Sequence, residues 1–205
     1  MKINIAAFKK QVKTLGPGNR IAVWVQGCNK SCPGCISKEW QSKEPNVLID
    51  VRKLFAIIYK CNEDNKLEGI TISGGEPFIQ PEPLYYLCKW LKEYTSLGII
   101  VFTGYKYDDL VKRDQSIINK LLNNIDLLIA GPFKKELNDN KGLRGSSNQT
   151  FNYLTEKYLK YKEEIESGVR EVEITFNEKE SFLIGVPGED TLKSFYEIHS
   201  ENKGR

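Results

Sequence analysis

Short apolar segments alternate with longer amphipathic segments along most of the chain. The apolar segments predict strands at 3–8, 20–27, 69–73, 98–102 and 125–130. The amphipathic segments have helical spacing and predict helices at 49–62, 83–94 and 107–123, the first with Asp50 as its N-cap. A repeated order of strand and helix favours a parallel sheet with crossover helices, so we predict an α/β fold.

The last quarter of the chain follows a different pattern. Residues 151–167 are strongly charged and predict one helix. Residues 171–176 and 181–186 alternate between apolar and polar types, which predicts a β-hairpin that turns at 177–180. We therefore predict a core domain over residues 1–150 and a C-terminal extension over residues 151–205, in which a helix and a hairpin pack on the core.

Four of the predicted strands end in loops rich in glycine or cysteine. These loops contain the cysteines at 28–35, Gly74-Gly75, Thr103-Gly104 and Gly131-Pro132. Ligands in open α/β sheets gather at the carboxyl ends of the strands. We therefore expect the four loops to share one rim of the sheet and to form the functional site there.

Composition narrows the classes of partner. The 205 residues carry a formal net charge of +3, and the basic residues are dispersed, which predicts no nucleic-acid partner. No apolar run approaches the roughly 20 residues of a membrane helix. The N-terminus also lacks an apolar segment of signal-peptide length. We expect a cytoplasmic protein with no membrane partner.

Three of the five cysteines, Cys28, Cys32 and Cys35, lie within one eight-residue stretch. In a reducing cytosol such clustering favours metal binding over disulfides. Three thiolates can hold a [4Fe–4S] cluster and leave one iron open, which indicates catalysis rather than electron storage. Zinc is the alternative, although it usually takes four Cys or His ligands and the only histidine is His199. The other two cysteines lie in predicted helices and are interpreted as small buried hydrophobes.

A second motif, Gly74-Gly75-Glu76-Pro77, follows a predicted strand. By itself it is typical of a tight turn before a helix. Glycines also let a ligand approach the backbone, whose carbonyl groups can accept hydrogen bonds from an ammonium group. Together with the cysteine loop, the motif favours a ligand-binding loop.

The two motifs together resemble the radical S-adenosylmethionine (SAM) superfamily. More narrowly, the chain is similar to the anaerobic ribonucleoside-triphosphate reductase activating protein family. The narrower resemblance rests on blocks that run in family order at 26–28, 73–77, 102–105, 125–133 and 144–149. The last two blocks carry the most weight, because generic members of the superfamily lack them.

The resemblance implies roles for individual residues. Cys28, Cys32 and Cys35 would ligate the [4Fe–4S] cluster, and the open iron would bind the amino and carboxylate groups of SAM. The expected SAM-binding residues come from three loops: Gly74, Gly75 and Glu76; Thr103, Gly104 and Tyr105; and Ser147 and Asn148. The implied fold is a partial (β/α) barrel of radical SAM type, with residues 1–150 as the radical SAM core domain and 151–205 as the helix and β-hairpin extension.

The resemblance also implies an activity and its partners. SAM would be cleaved reductively to a 5′-deoxyadenosyl radical, which takes a hydrogen atom from a backbone glycine of a glycyl radical enzyme. The implied partners are an anaerobic ribonucleotide reductase and a flavodoxin- or ferredoxin-like reductant. Two alternatives stay open: a small radical SAM enzyme that modifies a peptide, protein or nucleotide-like substrate, and a non-catalytic Fe–S or zinc protein.

The chain departs from this family in two places. Typical activating proteins end soon after the 144–149 block, whereas about fifty-five residues follow it here. This extension is either an addition that covers the sheet or a docking element for a different partner or substrate. In addition, Cys28 is followed by Asn29-Lys30-Ser31, without the histidine often seen there.

Overall fold

The computed structural model describes residues 1–112, 116–176 and 181–202. The strands in these ranges are β1 (Lys2–Val12), β2 (Arg20–Val25), β3 (Val47–Asp50), β4 (Gly69–Gly74), β5 (Gly98–Thr103), β6 (Leu127–Ala130), β7 (Thr150–Tyr153), β8 (Val172–Phe176) and β9 (Ser181–Gly185). The α-helices are α1 (Val51–Asn65), α2 (Pro81–Tyr94), α3 (Tyr107–Val111), α4 (Ser116–Leu122), α5 (Lys162–Ser167) and α6 (Glu189–Asn202). Short 3-10 helices occur at Lys38–Trp40, Pro77–Ile79, Lys135–Leu137 and Glu156–Tyr161.

Seven of the strands form one sheet in the order β3-β1-β2-β4-β5-β6-β7. The central strands β2, β4, β5 and β6 are parallel to one another, and α1, α2 and α4 lie in the connections between them. The edges are antiparallel, with β1 and β3 on one side and β7 on the other. This arrangement confirms the predicted α/β class and the predicted parallel centre of the sheet.

The central strands are apolar on both faces because both faces are covered. On one face, Ile99 of β5 shares a core with Leu54 of α1 and Leu87 of α2. On the other face, its neighbour Ile100 shares a second core with Tyr158. Residues after β7 therefore cover the face of the sheet that the crossover helices leave open.

The predicted elements of the core are confirmed with small changes at their ends. Asp50 caps α1 as predicted, and its carboxylate accepts a 2.9 Å hydrogen bond from the backbone N–H of Arg52. The helix predicted at 107–123 is divided into α3 and α4, and residues 113–115 lie outside the described ranges. None of the helices in the described part of the chain is long and apolar enough to cross a membrane.

The predicted helix at 151–167 is wrong in its first part. Phe151 and Tyr153 belong to β7, which pairs with β6, and aromatic residues at alternate positions suit a strand. A 3-10 helix follows, and only Lys162–Ser167 is α-helical.

The rest of the extension contains one predicted and one unpredicted element. Strands β8 and β9 pair antiparallel and confirm the predicted hairpin, whose turn at 177–180 lies outside the described residues. Helix α6 had no counterpart among the predictions. The division of the chain into domains at residue 150 stays a prediction.

Candidate functional site

A cavity of about 450 Å³ opens at the carboxyl ends of the parallel strands. Its lining includes residues from all four predicted loops, among them Cys28, Gly75, Gly104 and Gly131. The prediction that these loops share one rim is therefore confirmed. Part of the wall comes from the segment 185–196 in the extension, which sequence patterns did not indicate.

The cysteine loop leaves β2 through Gly27, whose φ of +97° favours glycine. The backbone N–H groups of Gly27 and Cys28 donate hydrogen bonds of 2.8 and 3.0 Å to the carbonyl oxygens of Trp40 and Gln41. These bonds hold the two ends of the loop together. The cysteines between them are thus carried on a closed loop at the end of a buried strand.

All three cysteines of this loop are free, partly exposed and part of the cavity lining. The backbone N–H of Cys35 donates a 3.2 Å hydrogen bond to the carbonyl oxygen of Cys32, which forms a tight turn. Burial raises the pKa of the Cys32 thiol, while a hydrogen bond from the Phe133 backbone acts in the opposite direction. Metal binding would displace the thiol protons, because thiolates are the ligands.

The donor set of this loop suits an iron–sulfur cluster. Within the described ranges, no three Cys, His, Asp or Glu side chains are grouped so that they could hold a metal ion. A [4Fe–4S] cluster does not need such convergence, because each thiolate binds a different iron. Three free thiols on one loop that line a common cavity meet the requirement for a cluster with one open iron.

The Gly74-Gly75 turn lies against the end of β2. The backbone N–H of Gly75 donates to the carbonyl oxygen of Val25 (2.8 Å), and that of Glu76 donates to the carbonyl oxygen of Gly27 (2.7 Å). Gly74 has a φ of +105°, and a Cβ on Gly75 would collide with the Gly27 carbonyl group. Both positions therefore require glycine for backbone conformation and packing, and both also line the cavity.

Glu76 is buried and joins two loops of the rim. Its Oε1 accepts hydrogen bonds from the Phe78 backbone N–H (2.9 Å) and the Thr103 hydroxyl (2.8 Å), and its Oε2 accepts one from the Gly104 backbone N–H (2.7 Å). Burial raises the pKa of Glu76, and these hydrogen bonds to the charged form oppose the shift. The carboxylate thereby holds the loop after β5 against the loop after β4.

Tyr105 is buried and is not part of the cavity lining, although it is a predicted site residue. Its hydroxyl accepts a 2.7 Å hydrogen bond from the Asn29 side chain, and the Lys30 Nζ lies 3.6 Å from the centre of its ring. Lys30 itself lines the cavity. Tyr105 therefore contacts the residues that follow Cys28, which places it beside the site and behind its surface.

Ser147 and Asn148 also lie outside the lining. The Ser147 backbone N–H donates to the Leu137 carbonyl oxygen (2.7 Å), and the Asn148 side chain donates to the Pro132 carbonyl oxygen (2.8 Å). Their neighbour Gln149 does line the cavity. The structure thus brings this turn to the site, whereas cofactor binding by Ser147 and Asn148 stays a prediction.

Sequence reasoning missed Lys30 and the wall residues of the extension. Lys30 lies between two cysteines, in a position that had no motif of its own. In α6, Leu192, Phe195 and Tyr196 have helical spacing, and this pattern is a signal that could have indicated the element. Its contact with the cavity depends on tertiary packing and has no local signature.

Comparison with known proteins identifies relatives of the core. Residues 14–152 match the family described as 4Fe-4S single cluster domain. The anaerobic ribonucleoside-triphosphate reductase-activating protein of Escherichia coli (strain K12) is 32% identical over 146 residues, which is 68% of this chain and 91% of that protein. The proteins of the same name from Haemophilus influenzae and Enterobacteria phage T4 are 35% and 29% identical over 139 and 140 residues. These matches cover 65% of this chain in both cases, and 87% and 83% of the two proteins.

The matched range contains the cysteine loop and the Gly74–Glu76 turn, and it ends before the hairpin and α6. The match to the family spans more than half of the chain, and the relatives are matched over most of their length. The chain therefore belongs to the 4Fe–4S single cluster domain family and, within it, to the radical SAM activating proteins that its motifs resemble.

Proposed function

We propose that this chain activates an anaerobic ribonucleotide reductase by generating a glycyl radical on it. The observation that carries the proposal is that three free cysteines of one loop and the Gly74–Glu76 turn line the same cavity. The similar proteins described above are activating proteins of anaerobic ribonucleoside-triphosphate reductases, which supports the same activity. We also propose that the sheet curves into a partial (β/α) barrel and that the protein acts in the cytoplasm.

In this proposal Cys28, Cys32 and Cys35 would hold a [4Fe–4S] cluster that leaves one iron open for SAM. Bound there and reduced, the cluster would supply one electron for the cleavage of SAM to methionine and a 5′-deoxyadenosyl radical. A flavodoxin- or ferredoxin-like protein is the proposed electron donor.

Glu76 is the proposed partner of the SAM ammonium group. A carboxylate has about four lone-pair positions, and three hydrogen bonds from Phe78, Thr103 and Gly104 already point to this one. One position is left for a donor in the cavity. Gly74 and Gly75 would contact the same group through their backbone carbonyl oxygens. Thr103 and Gly104 act through Glu76, because they hold its carboxylate in place.

The remaining predicted residues act behind the surface of the site. Tyr105 orients Asn29 and Lys30, which belong to the cysteine loop. Ser147 and Asn148 fix the turn that carries Gln149 into the cavity lining. We propose positioning roles for Tyr105, Ser147 and Asn148 on these contacts.

The test uses the full chain with its cluster reconstituted anaerobically. With dithionite and SAM, the protein should release 5′-deoxyadenosine. With the anaerobic reductase from the same genome added, electron paramagnetic resonance should show a glycyl radical on the reductase. A protein with an intact cluster that releases no 5′-deoxyadenosine would contradict radical SAM activity altogether.

A second target is favoured by one observation, the extension beyond the matched residues 14–152. An added element that lines the cavity suits a different peptide, protein or nucleotide-like substrate. Release of 5′-deoxyadenosine without a radical signal on the reductase would favour this second function over the first.

A further inference from the structure

The extension lies beyond the matched residues 14–152 and forms one side of the cavity. Val186 and Pro187 follow β9, and Leu192, Lys193 and Tyr196 lie on α6; all five line the cavity. Four of these side chains are apolar or aromatic, whereas Lys193 is charged, as is Glu189, which also lines the cavity. The core contributes the thiols and the Glu76 carboxylate, together with apolar side chains such as Trp24 and Phe133. All the groups proposed to hold the cofactors therefore belong to the core, and the extension supplies a further, mainly apolar part of the lining.

Two contacts hold the hairpin on the core, one of them at the end of the cysteine loop. Phe182 of β9 stacks on Trp40, with 5.9 Å between the ring centroids and 26° between the planes. Glu173 of β8 accepts hydrogen bonds from the backbone N–H groups of Lys13 and Thr14, after β1. Trp40 is also the residue whose carbonyl oxygen closes the cysteine loop. Trp40 thus contacts the hairpin and also holds the cysteine loop closed.

A third contact ties α6 to the same loop. The Lys135 Nζ lies 2.7 Å from Glu189 Oε1 at the start of α6. The aliphatic part of Lys135 lies beside Gly34, where an added Cβ would be 3.3 Å from the Lys135 Cδ. Both charged groups are exposed, so the ion pair is a weak contact, but it shows that α6 begins close to the cysteines.

We infer that the wall formed by Val186, Leu192 and Tyr196 receives the glycine-bearing segment of the partner enzyme and determines which segment is accepted. This inference rests on the proposed function. A hydrogen atom can be taken only from a carbon that touches the radical, so the target glycine must enter the cavity. Once the cofactors occupy the loops of the core, the segment that carries the glycine lies against the remaining side, which is the extension.

The character of the wall suits a peptide. Its three residues offer apolar surface and one tyrosine hydroxyl to the side chains of a bound segment, and the charged Glu189 and Lys193 of the extension also line the cavity. Tyr196 is 53% exposed, so its ring extends from the cavity lining to the protein surface. A half-exposed tyrosine beside aliphatic side chains is typical of the residues that anchor protein interfaces.

The inference is tested on the anaerobically reconstituted full chain. The probe is a fluorescein-labelled synthetic peptide that spans the glycine near the C-terminus of the anaerobic reductase from the same genome. We compare Tyr196→Ala and Leu192→Ala with Ile198→Ala. Ile198 is the matched control, because it lies on the same helix, is also 53% exposed and does not line the cavity. Fluorescence anisotropy gives the affinity for the peptide, and equilibrium dialysis gives the affinity for SAM.

We expect Tyr196→Ala and Leu192→Ala each to weaken peptide binding about tenfold or more. The control should stay within about twofold of the wild type, and Tyr196→Phe should restore most of the lost affinity. Circular dichroism checks that α6 is retained, and Val186→Ala, outside α6, tests the same wall if the helix is lost. SAM affinity should change much less than peptide affinity in each wall variant.

Two results would overturn the inference and leave the proposed function intact. One is that all the wall variants bind the peptide as tightly as the wild-type protein does, while the wild-type protein still forms the glycyl radical on the reductase. The other is an equal loss of SAM and peptide affinity, which would assign the wall to the cofactor. Failure of the wild-type protein to form any glycyl radical on the reductase would instead contradict the proposed function itself.

Discussion

The guanidinium group of Arg20 donates a 2.8 Å hydrogen bond to the hydroxyl of Tyr158, and both residues are buried. The other partners of Arg20 are the Thr71 hydroxyl and the carbonyl oxygens of Pro17, Ile70 and Gly98. Burial lowers the pKa of Arg20, and these partners are neutral oxygens. Tyr158 lies after residue 152, where the family match ends. A buried charge of the core therefore depends on a residue of the extension.

Tyr158→Phe should destabilise the fold by about 1–3 kcal/mol, because a buried guanidinium N–H loses its acceptor. Urea denaturation gives the free energy of unfolding. Tyr94→Phe is the matched control, since Tyr94 is 58% exposed and its change should stay within about 0.5 kcal/mol. Equal effects of the two substitutions would show that the Tyr158 hydroxyl does not support Arg20.

Alanine at Cys28, Cys32 or Cys35 should remove most of the bound iron. The wild-type protein should hold about four irons per chain after anaerobic reconstitution. The fold should survive, because these side chains are partly exposed and contribute little to the core. Iron analysis and far-UV circular dichroism measure both properties. Cys61→Ala, at a buried position of α1, should keep its iron; loss of iron there would contradict the assignment of the ligands.

Gly75→Ala should destabilise the fold by about 1–3 kcal/mol, since the new Cβ meets the backbone of Gly27 and Trp40. Gly104→Ala is the comparison within the same cavity. Its Cβ would lie 3.1 Å from the Lys30 Cγ, which belongs to a flexible side chain that can move, and 3.3 Å from the buried Glu76 Oε2. We expect a smaller loss there, of about 1 kcal/mol or less, because neither contact is as short as those at Gly75. Thermal or urea unfolding that ranks the two variants in the reverse order would refute the packing argument.

The buried carboxyl of Glu76 should make stability depend on pH. Burial raises its pKa above the ordinary value of 4.5, so the folded protein holds this proton to higher pH than the unfolded chain does. The stability it contributes is fully present below the unfolded pKa and is lost as the pH rises through the folded pKa. Glu76→Gln does not titrate. The unfolding free energy of the wild type minus that of Glu76→Gln should therefore fall as the pH rises above the ordinary carboxyl pKa of 4.5; a difference that rises with pH would mean that the hydrogen bonds outweigh burial.

The parallel strands at the centre of the sheet and the rim of the cavity could be predicted because both have local signatures. Parallel strands such as β4 are short apolar runs, and the cysteine and Gly74-Gly75 motifs follow strand ends directly. Strand β7 was missed because its four residues adjoin a charged segment, and pairing with β6 decides their conformation. The position of the hairpin on the core could not be predicted for a similar reason, because the contact of Phe182 with Trp40 joins residues far apart in the chain.

The aromatic contact that seats the hairpin has a practical consequence. Phe182 packs edge-on against Trp24 and stacks on Trp40, and the chain has three tryptophans in all. The third, Trp90, packs against Phe55 of α1. Because indole emission responds to its surroundings, two of the three tryptophans report whether the hairpin is in place. Tryptophan fluorescence can therefore report the position of the hairpin without a label, with Trp90 contributing a background signal.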